Sequence, residues 1–151
     1  MRILFVCVHN SARSQMAEAF LNRLGAGAYQ AESAGLEPGQ LNPMVVKVMA
    51  EEGYDLSGNA VKDVFDFFRE GRAYDLVIKV CDQSIGQRCP IFPAQKMTLN
   101  WDFPDPSAFT GSEEEKLEKT RAVRDAIKQR IEEMLRVFSL NPQSGEVPKQ
   151  T

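Results

Sequence analysis

Residues 2–13 read Arg2-Ile3-Leu4-Phe5-Val6-Cys7-Val8-His9-Asn10-Ser11-Ala12-Arg13. Ile3 to Val6 are apolar without alternation, the pattern of a strand buried on both faces inside a parallel sheet. Cys7 follows at once, and five residues separate it from Arg13, about what a loop needs to curl its backbone N–H groups around one anion. Beyond Arg13, residues 14–24 read as a helix, so the anion would sit on a helix N-terminus where the macrodipole favours negative charge. Arg13 can fork two donors onto two oxygens of a tetrahedral oxyanion. The same positive field favours the thiolate of Cys7. One short segment thus supplies an anion cradle (Val8 to Ser14) and a nucleophile.

A Cys-x5-Arg spacing alone recurs by chance, and a cysteine after a strand is ordinarily a small core hydrophobe. The strand–loop–helix setting is what favours a catalytic role here. Within it, Asn10 suits a left-handed backbone position. Ser14 can cap the helix and donate a hydrogen bond to the Cys7 sulfur. His9 is the one histidine, and with no partner legible in the sequence it reads as a loop residue and not a base. Glu18, one turn beyond Ser14, reads on its own as a solvated helix residue.

The chain has 151 residues, enough for one domain with a core, and its 43% hydrophobic and 26% charged residues suit a globular protein. A net charge of −3 without a basic run argues against a nucleic-acid or anionic-membrane partner. No apolar stretch could span a bilayer and no signal-peptide pattern opens the chain, so a cytoplasmic location is expected. Three cysteines, an odd number, suggest reactive thiols and not a disulfide framework.

After the first strand (2–6), Met16, Ala17, Phe20, Leu21 and Leu24 mark a helix that Gly25 and Gly27 end. A strand follows at 29–33. A helix starts at Asn42-Pro43, buries Val45, Val46 and Met49, and closes at Gly53. A phenylalanine-rich helix is expected over 61–69, and strands over 75–80 and 96–100. A long amphipathic helix spans 113–138, with Val123, Ile127, Ile131, Met134, Leu135 and Phe138 inward. Alternating strands and helices imply an α/β three-layer sandwich: a four-stranded parallel sheet with helices on both faces. Residues 1–138 form one domain and 139–151 a flexible tail. Ligands of such folds bind at the carboxyl ends of the strands, where Cys7, Cys81 and the loop after Trp101 converge.

Cys81 follows its strand as Cys7 follows the first, and Cys89 lies eight positions later. They are either two core thiols or a dithiol beside the activated one, able to pass an oxidation outward in steps. A zinc site of Cys7, His9, Cys81 and Cys89 is a third reading. Arg13 and the anion loop would repel that cation. Asp105, stiffened by Pro106, is placed to protonate a leaving oxygen, with Asp102 as a rival.

Cys-x-x-Asn-Ser-x-Arg-Ser-Gln-Met-Ala-Glu over residues 7–18 resembles the thioredoxin-coupled arsenate reductases, as do Ser33-Ala34-Gly35, Asn42-Pro43, Val80-Cys81-Asp82, Cys89-Pro90-Ile91 and Trp101-x-Phe103-x-Asp105-Pro106. These enzymes share the fold of low-molecular-weight protein tyrosine phosphatases. The resemblance implies that Cys7 attacks arsenate held by Arg13 while Asp105 protonates the departing oxygen. Cys81 would then attack Cys7 and expel arsenite, and Cys89 would resolve the Cys7–Cys81 bond. The resulting Cys81–Cys89 disulfide would be reduced by thioredoxin. It further implies a potassium ion beside the loop on Asn10, Glu18, Ser33 and Asp63, no tightly bound cofactor, a monomer, and phosphate or sulfate as competing anions. Three departures stand out: Cys81-x7-Cys89 is one residue longer than in the best-known members, Ala12 replaces a further cysteine, and an extra residue lies between Ser57 and Asp63.

The runner-up is a phosphatase acting on phosphotyrosine or small phosphoesters, which begins with the same thiolate attack. Phosphorus(V) does not accept electrons from thiols, so a phosphatase would have no use for Cys81 and Cys89. Its Asp-Pro loop would also carry tyrosines to receive an aromatic substrate. A non-catalytic anion-binding module would need neither the nucleophile nor the acid.

Overall fold

The computed structural model describes residues 1–25, 27–81 and 97–139, with only the backbone at Cys81 and Ser139. Cys89, the remainder of the loop after Cys81 and most of the expected tail lie outside the described residues. Four parallel strands, β1 (Arg2–Cys7), β2 (Gln30–Gly35), β3 (Leu76–Cys81) and β4 (Thr98–Asp102), pair in the order β2-β1-β3-β4. β1 is therefore central, and Ile3, Leu4, Phe5 and Val6 are all fully buried.

Strand side chains alternate between faces, and the two cores follow that alternation. Ile3 and Phe5 join Leu76 and Ile78 on one face, packed against α1 (Arg13–Leu24), α2 (Pro43–Glu51) and α4 (Glu113–Ser139). Leu4, Val6 and Val77 face the other way, toward Val64 and Phe67 of α3 (Val64–Arg69). The expected three-layer α/β sandwich is what the chain forms.

Boundaries differ where local hydrogen bonds outweigh periodicity. α3 starts later than expected because the Asp63 carboxylate accepts from Phe65 N–H (2.8 Å) and caps it at that point. α2 is capped by Asn42, which accepts from Met44 N–H (2.9 Å), with Pro43 at its first position. It buries Val48 beside Val45 and Met49, while Val46 is only half-buried. β4 lies two residues further on than expected because the register Val80↔Trp101 inserts Trp101 into the core, its ring 5.8 Å from that of Phe5. On α4, Val123, Ile127, Ile131, Met134 and Phe138 point inward as expected, and Leu135 is half-buried. Arg124 ties α4 to α2, donating to the Val48 carbonyl (2.8 Å) and Glu51 (2.9 Å).

All four strands run the same way, so Cys7, Gly35, Cys81 and Asp102 end them at one edge of the sheet. Cys7 pairs with Gly35, and Cys81 with Asp102. β1 and β3 are direct neighbours with Val6 opposite Lys79, which sets the backbones of positions 7 and 81 on adjacent strands at one rim.

Candidate active site

The loop between Cys7 and Arg13 is shaped by where its carbonyls go. Those of Cys7, Val8, His9 and Ser11 accept from the N–H groups of Leu36 (3.2 Å), Glu37 (2.8 Å), Gly39 (3.1 Å) and Asn42 (2.9 Å). With these carbonyls turned outward, the loop's N–H groups are left to face the hollow it encloses, as in a backbone anion nest. Asn10 takes φ 53°, the only left-handed non-glycine backbone among the described residues, a conformation asparagine tolerates better than most. Gly35 lies so close beneath that a Cβ there would stand 2.8 Å from Asn10 N and from His9 C. Gly35 reads from the sequence as a turn residue, and its close approach to the loop emerges only in the fold.

At the floor of the hollow, Cys7 is buried, with Sγ 2.9 Å from Ser14 Oγ and accepting from Asn10 N–H at 3.1 Å. The expected Ser14 bond to sulfur is therefore present, but the expected cap is not. α1 starts one residue earlier, at Arg13, and Ala12 stands before it with no side-chain cap. Ser14 lies inside the first turn, and the open N–H groups of that turn suit a bound anion.

Arg13 and Asp105 close the mouth. Arg13 Nη1 donates to the Phe103 carbonyl (3.2 Å), and Nη2 lies 3.3 Å from Asp105 Oδ2. Arg13 Nε is buried without a partner, a donor left for an oxyanion oxygen. Asp105 Oδ1 accepts from Ser107 N–H (3.0 Å), so its carboxyl is held by the short turn Pro106–Ala108. Cys7, His9, Ser11, Ala12, Arg13 and Asp105 together line a small, tight hollow. Asp102 instead lines a larger cleft of about 430 Å³ between β4 and α4, near Arg130 and Glu133. Size does not decide here: only the small hollow holds a thiol and a loop of inward amides. Of the two aspartates, Asp105 is the one beside the thiol.

His9 lies in the loop, and the structure adds a partner: Nδ1 stands 2.8 Å from the Glu37 carbonyl at the rim. Val8 is half-buried and contributes backbone only. Cys81 stands at the right edge by its backbone; its side chain, like all of Cys89, falls outside the described residues.

At the four residues implied for potassium, several oxygens already have protein partners. Glu18 is no solvated helix residue: burial raises its carboxyl, and Lys62 Nζ, 3.2 Å away, opposes that rise. A cation already sits on it. Asn10 Oδ1 accepts from Gln15 Nε2 (3.1 Å) and Lys62 N–H (2.9 Å), and Asp63 is occupied as the α3 cap. Ser33, fully buried, stands beside Glu18 as a further hydrogen-bonding group. Among the described residues no cluster of His, Cys, Asp and Glu could hold a metal ion, which also leaves the zinc reading without support from Cys7 and His9.

The low molecular weight phosphotyrosine protein phosphatase model matches residues 2–144. The chain belongs to that family. Within it, the chain is 39% identical over 131 residues to an arsenate reductase of Bacillus subtilis (strain 168), covering 87% of this chain and 92% of the relative. It is 34% identical to a glutaredoxin arsenate reductase of Synechocystis sp., covering 91% and 98%. Among solved structures, the thioredoxin-dependent arsenate reductase of Corynebacterium glutamicum superposes with a TM-score of 0.65 at 28% identity, over 92% of this chain and 62% of that one. Members of this phosphatase family thus include proteins named as reductases.

Proposed function

We propose that this protein reduces arsenate to arsenite, with Cys7 as nucleophile and Cys81 and Cys89 carrying two electrons outward. The observation that carries the reading is the Cys7 thiol, bonded to Ser14 and Asn10 N–H on the floor of an anion loop and facing Arg13 and Asp105. Arsenate enters on the open Nε of Arg13 and the loop amides. Cys7 Sγ attacks arsenic: an S–As bond forms, one As–O bond breaks, and Asp105 gives the departing oxygen its proton. The Cys81 thiolate then attacks Cys7 Sγ. An S–S bond forms, the S–As electron pair stays on arsenic, and arsenite leaves as arsenic(III). Cys89 displaces Cys7 from Cys81, and a dithiol donor of the thioredoxin class reduces the Cys81–Cys89 bond. Phosphate and sulfate fill the same hollow and compete without being reduced.

In this reading the protein works as a cytoplasmic monomer, and the Lys62 ammonium on Glu18 makes potassium dispensable. Among the described residues no helix is long and apolar enough to cross a membrane. The family's phosphatase chemistry is the second reading, since it shares the first step. NADPH oxidation that depends on arsenate, measured with thioredoxin and its reductase beside a glutaredoxin arm, separates the two. Turnover with a dithiol donor is expected. Phosphoester hydrolysis without arsenate-dependent oxidation by either donor would leave the phosphatase reading standing.

A further inference from the structure

We infer that Gln15, through Asn10 and Ser14, fixes the direction of the hydrogen bonds that end on the Cys7 sulfur, and so is a positioning residue for the nucleophile. The inference rests on the reading of Cys7 as the reacting group.

Gln15 is fully buried in the first turn of α1 and points away from the hollow, toward the segment 59–62. Two backbone groups set the whole arrangement. Lys62 N–H can only donate, so the atom of Asn10 it meets at 2.9 Å is the amide oxygen. The Ala60 carbonyl can only accept, so the atom of Gln15 it meets at 2.9 Å is the amide nitrogen. Gln15 Nε2 then gives its second hydrogen to Asn10 Oδ1 (3.1 Å), and Gln15 Oε1 accepts from Asn59 Nδ2 (3.1 Å). No freedom remains in either amide.

The consequence runs back to sulfur. With its oxygen turned to Gln15 and Lys62, Asn10 must present Nδ2 to Ser14 Oγ, and the two are 2.8 Å apart. Ser14 Oγ therefore accepts from Asn10, and its own hydrogen is left for Cys7 Sγ at 2.9 Å. The sulfur receives a second donor from Asn10 N–H at 3.1 Å. Two donors aimed at one sulfur favour its ionised form over the thiol. Were Asn10 free to turn its amide over, Ser14 would donate to Asn10 Oδ1 and accept from a Cys7 S–H, favouring the neutral thiol. Lys62 N–H and Gln15 Nε2, both donating to Asn10 Oδ1, together oppose that flip, and losing the Gln15 donor weakens the restraint.

The test is alkylation of Cys7 by iodoacetamide across pH 5 to 9, followed by mass spectrometry of the Cys7 peptide, so that it needs no arsenate turnover. Gln15→Met keeps the length and removes both donors. Its Cys7 rate at pH 6 is expected to fall roughly three- to tenfold, which corresponds to a rise of about half to one unit in the titration midpoint, while the plateau rate at high pH is unchanged. In a Ser14→Ala background the same substitution is expected to add nothing further, whereas a merely structural role would leave the midpoint of folded protein unmoved in either background. If Gln15→Met does not fold, Gln15→Glu replaces it, with a larger fall expected because its carboxylate repels Asn10 Oδ1 and accepts from Asn10 Nδ2, which favours the turned-over amide. A folded Gln15 variant with the unsubstituted profile would overturn this inference and leave the reading of Cys7 intact. A sluggish Cys7 in the unsubstituted protein would instead overturn that reading.

Discussion

Asp102 ends β4, and Asp105 stands three positions further on, beside Pro104 and Pro106. Asp105 lies 3.3 Å from Arg13 and lines the hollow that holds Cys7, whereas Asp102 faces a different cleft. Asp105→Asn is therefore expected to lower kcat by about a hundred- to ten-thousandfold with little change in anion affinity. Asp102→Asn should stay close to the unsubstituted enzyme in the same steady-state assay; the larger loss at Asp102 would assign the acid wrongly. Lys62 supports a second expectation. Its ammonium lies 3.2 Å from Glu18 and in the proposed reading serves in place of an alkali cation, so exchanging K⁺ for Na⁺ at fixed ionic strength should leave activity and Tm unchanged. Lys62→Met strands a buried carboxylate and should gain a stabilisation specific to K⁺. A K⁺-specific rise in Tm of the unsubstituted protein would refute the assignment.

Elements show what was legible in the sequence and what was not. Cys7, Arg13, Asn10 and Ser14 could be read directly because strand, loop and helix are local and their order is fixed by the chain. Lys62 and Gln15 were not legible as partners of the loop, since a lysine beyond a glycine and a buried glutamine carry no periodic signal. The contact of Gly35 with the loop was hidden too, because it depends on two backbones meeting across the end of β2. Gly35→Ala tests that contact. Its methyl would stand 2.8 Å from Asn10 N and 2.9 Å from the Val8 carbonyl, and neither is a side chain that can swing aside. The substitution should cost about 1–3 kcal/mol in denaturant unfolding and a larger share of activity, because the loop must shift to admit it. Unchanged stability and unchanged anion binding would show that the loop has slack.

For the molecule as a whole, chemistry and stability occupy opposite ends of the sheet. The carboxyl edge carries Cys7. Near the amino edge, Glu32 receives hydrogen bonds from Arg2 at 2.8 Å, from Tyr74 at 3.1 Å and from Arg72. Burial alone would raise the Glu32 carboxyl, but those three donors outweigh it and hold it below the ordinary value of 4.5. A carboxylate lowered by folding adds stability that is complete above that ordinary value and is lost as pH falls through the lowered one. Glu32→Gln should therefore lose about 1–3 kcal/mol at pH 7 and progressively less below pH 4, so that its Tm curve approaches that of the unsubstituted protein in acid. Parallel curves would deny Glu32 this role. Distance from the site means kcat should hardly change.

The α/β order, the parallel sheet and the edge where ligands bind all followed from the alternation of strands and helices, because that alternation permits few topologies. The reach between sulfurs did not, since β1 and β3 are joined through a long crossover and the sequence around Cys89 carries no periodicity that would place it. That reach decides between reductase and phosphatase. The most direct measurement is a single turnover of Cys89→Ser with stoichiometric arsenate, followed by peptide mass mapping and quantitation of arsenite. The account expects one arsenite released per Cys7–Cys81 disulfide formed. All thiols left reduced with no arsenite released, or normal cycling of the variant with thioredoxin, would contradict it.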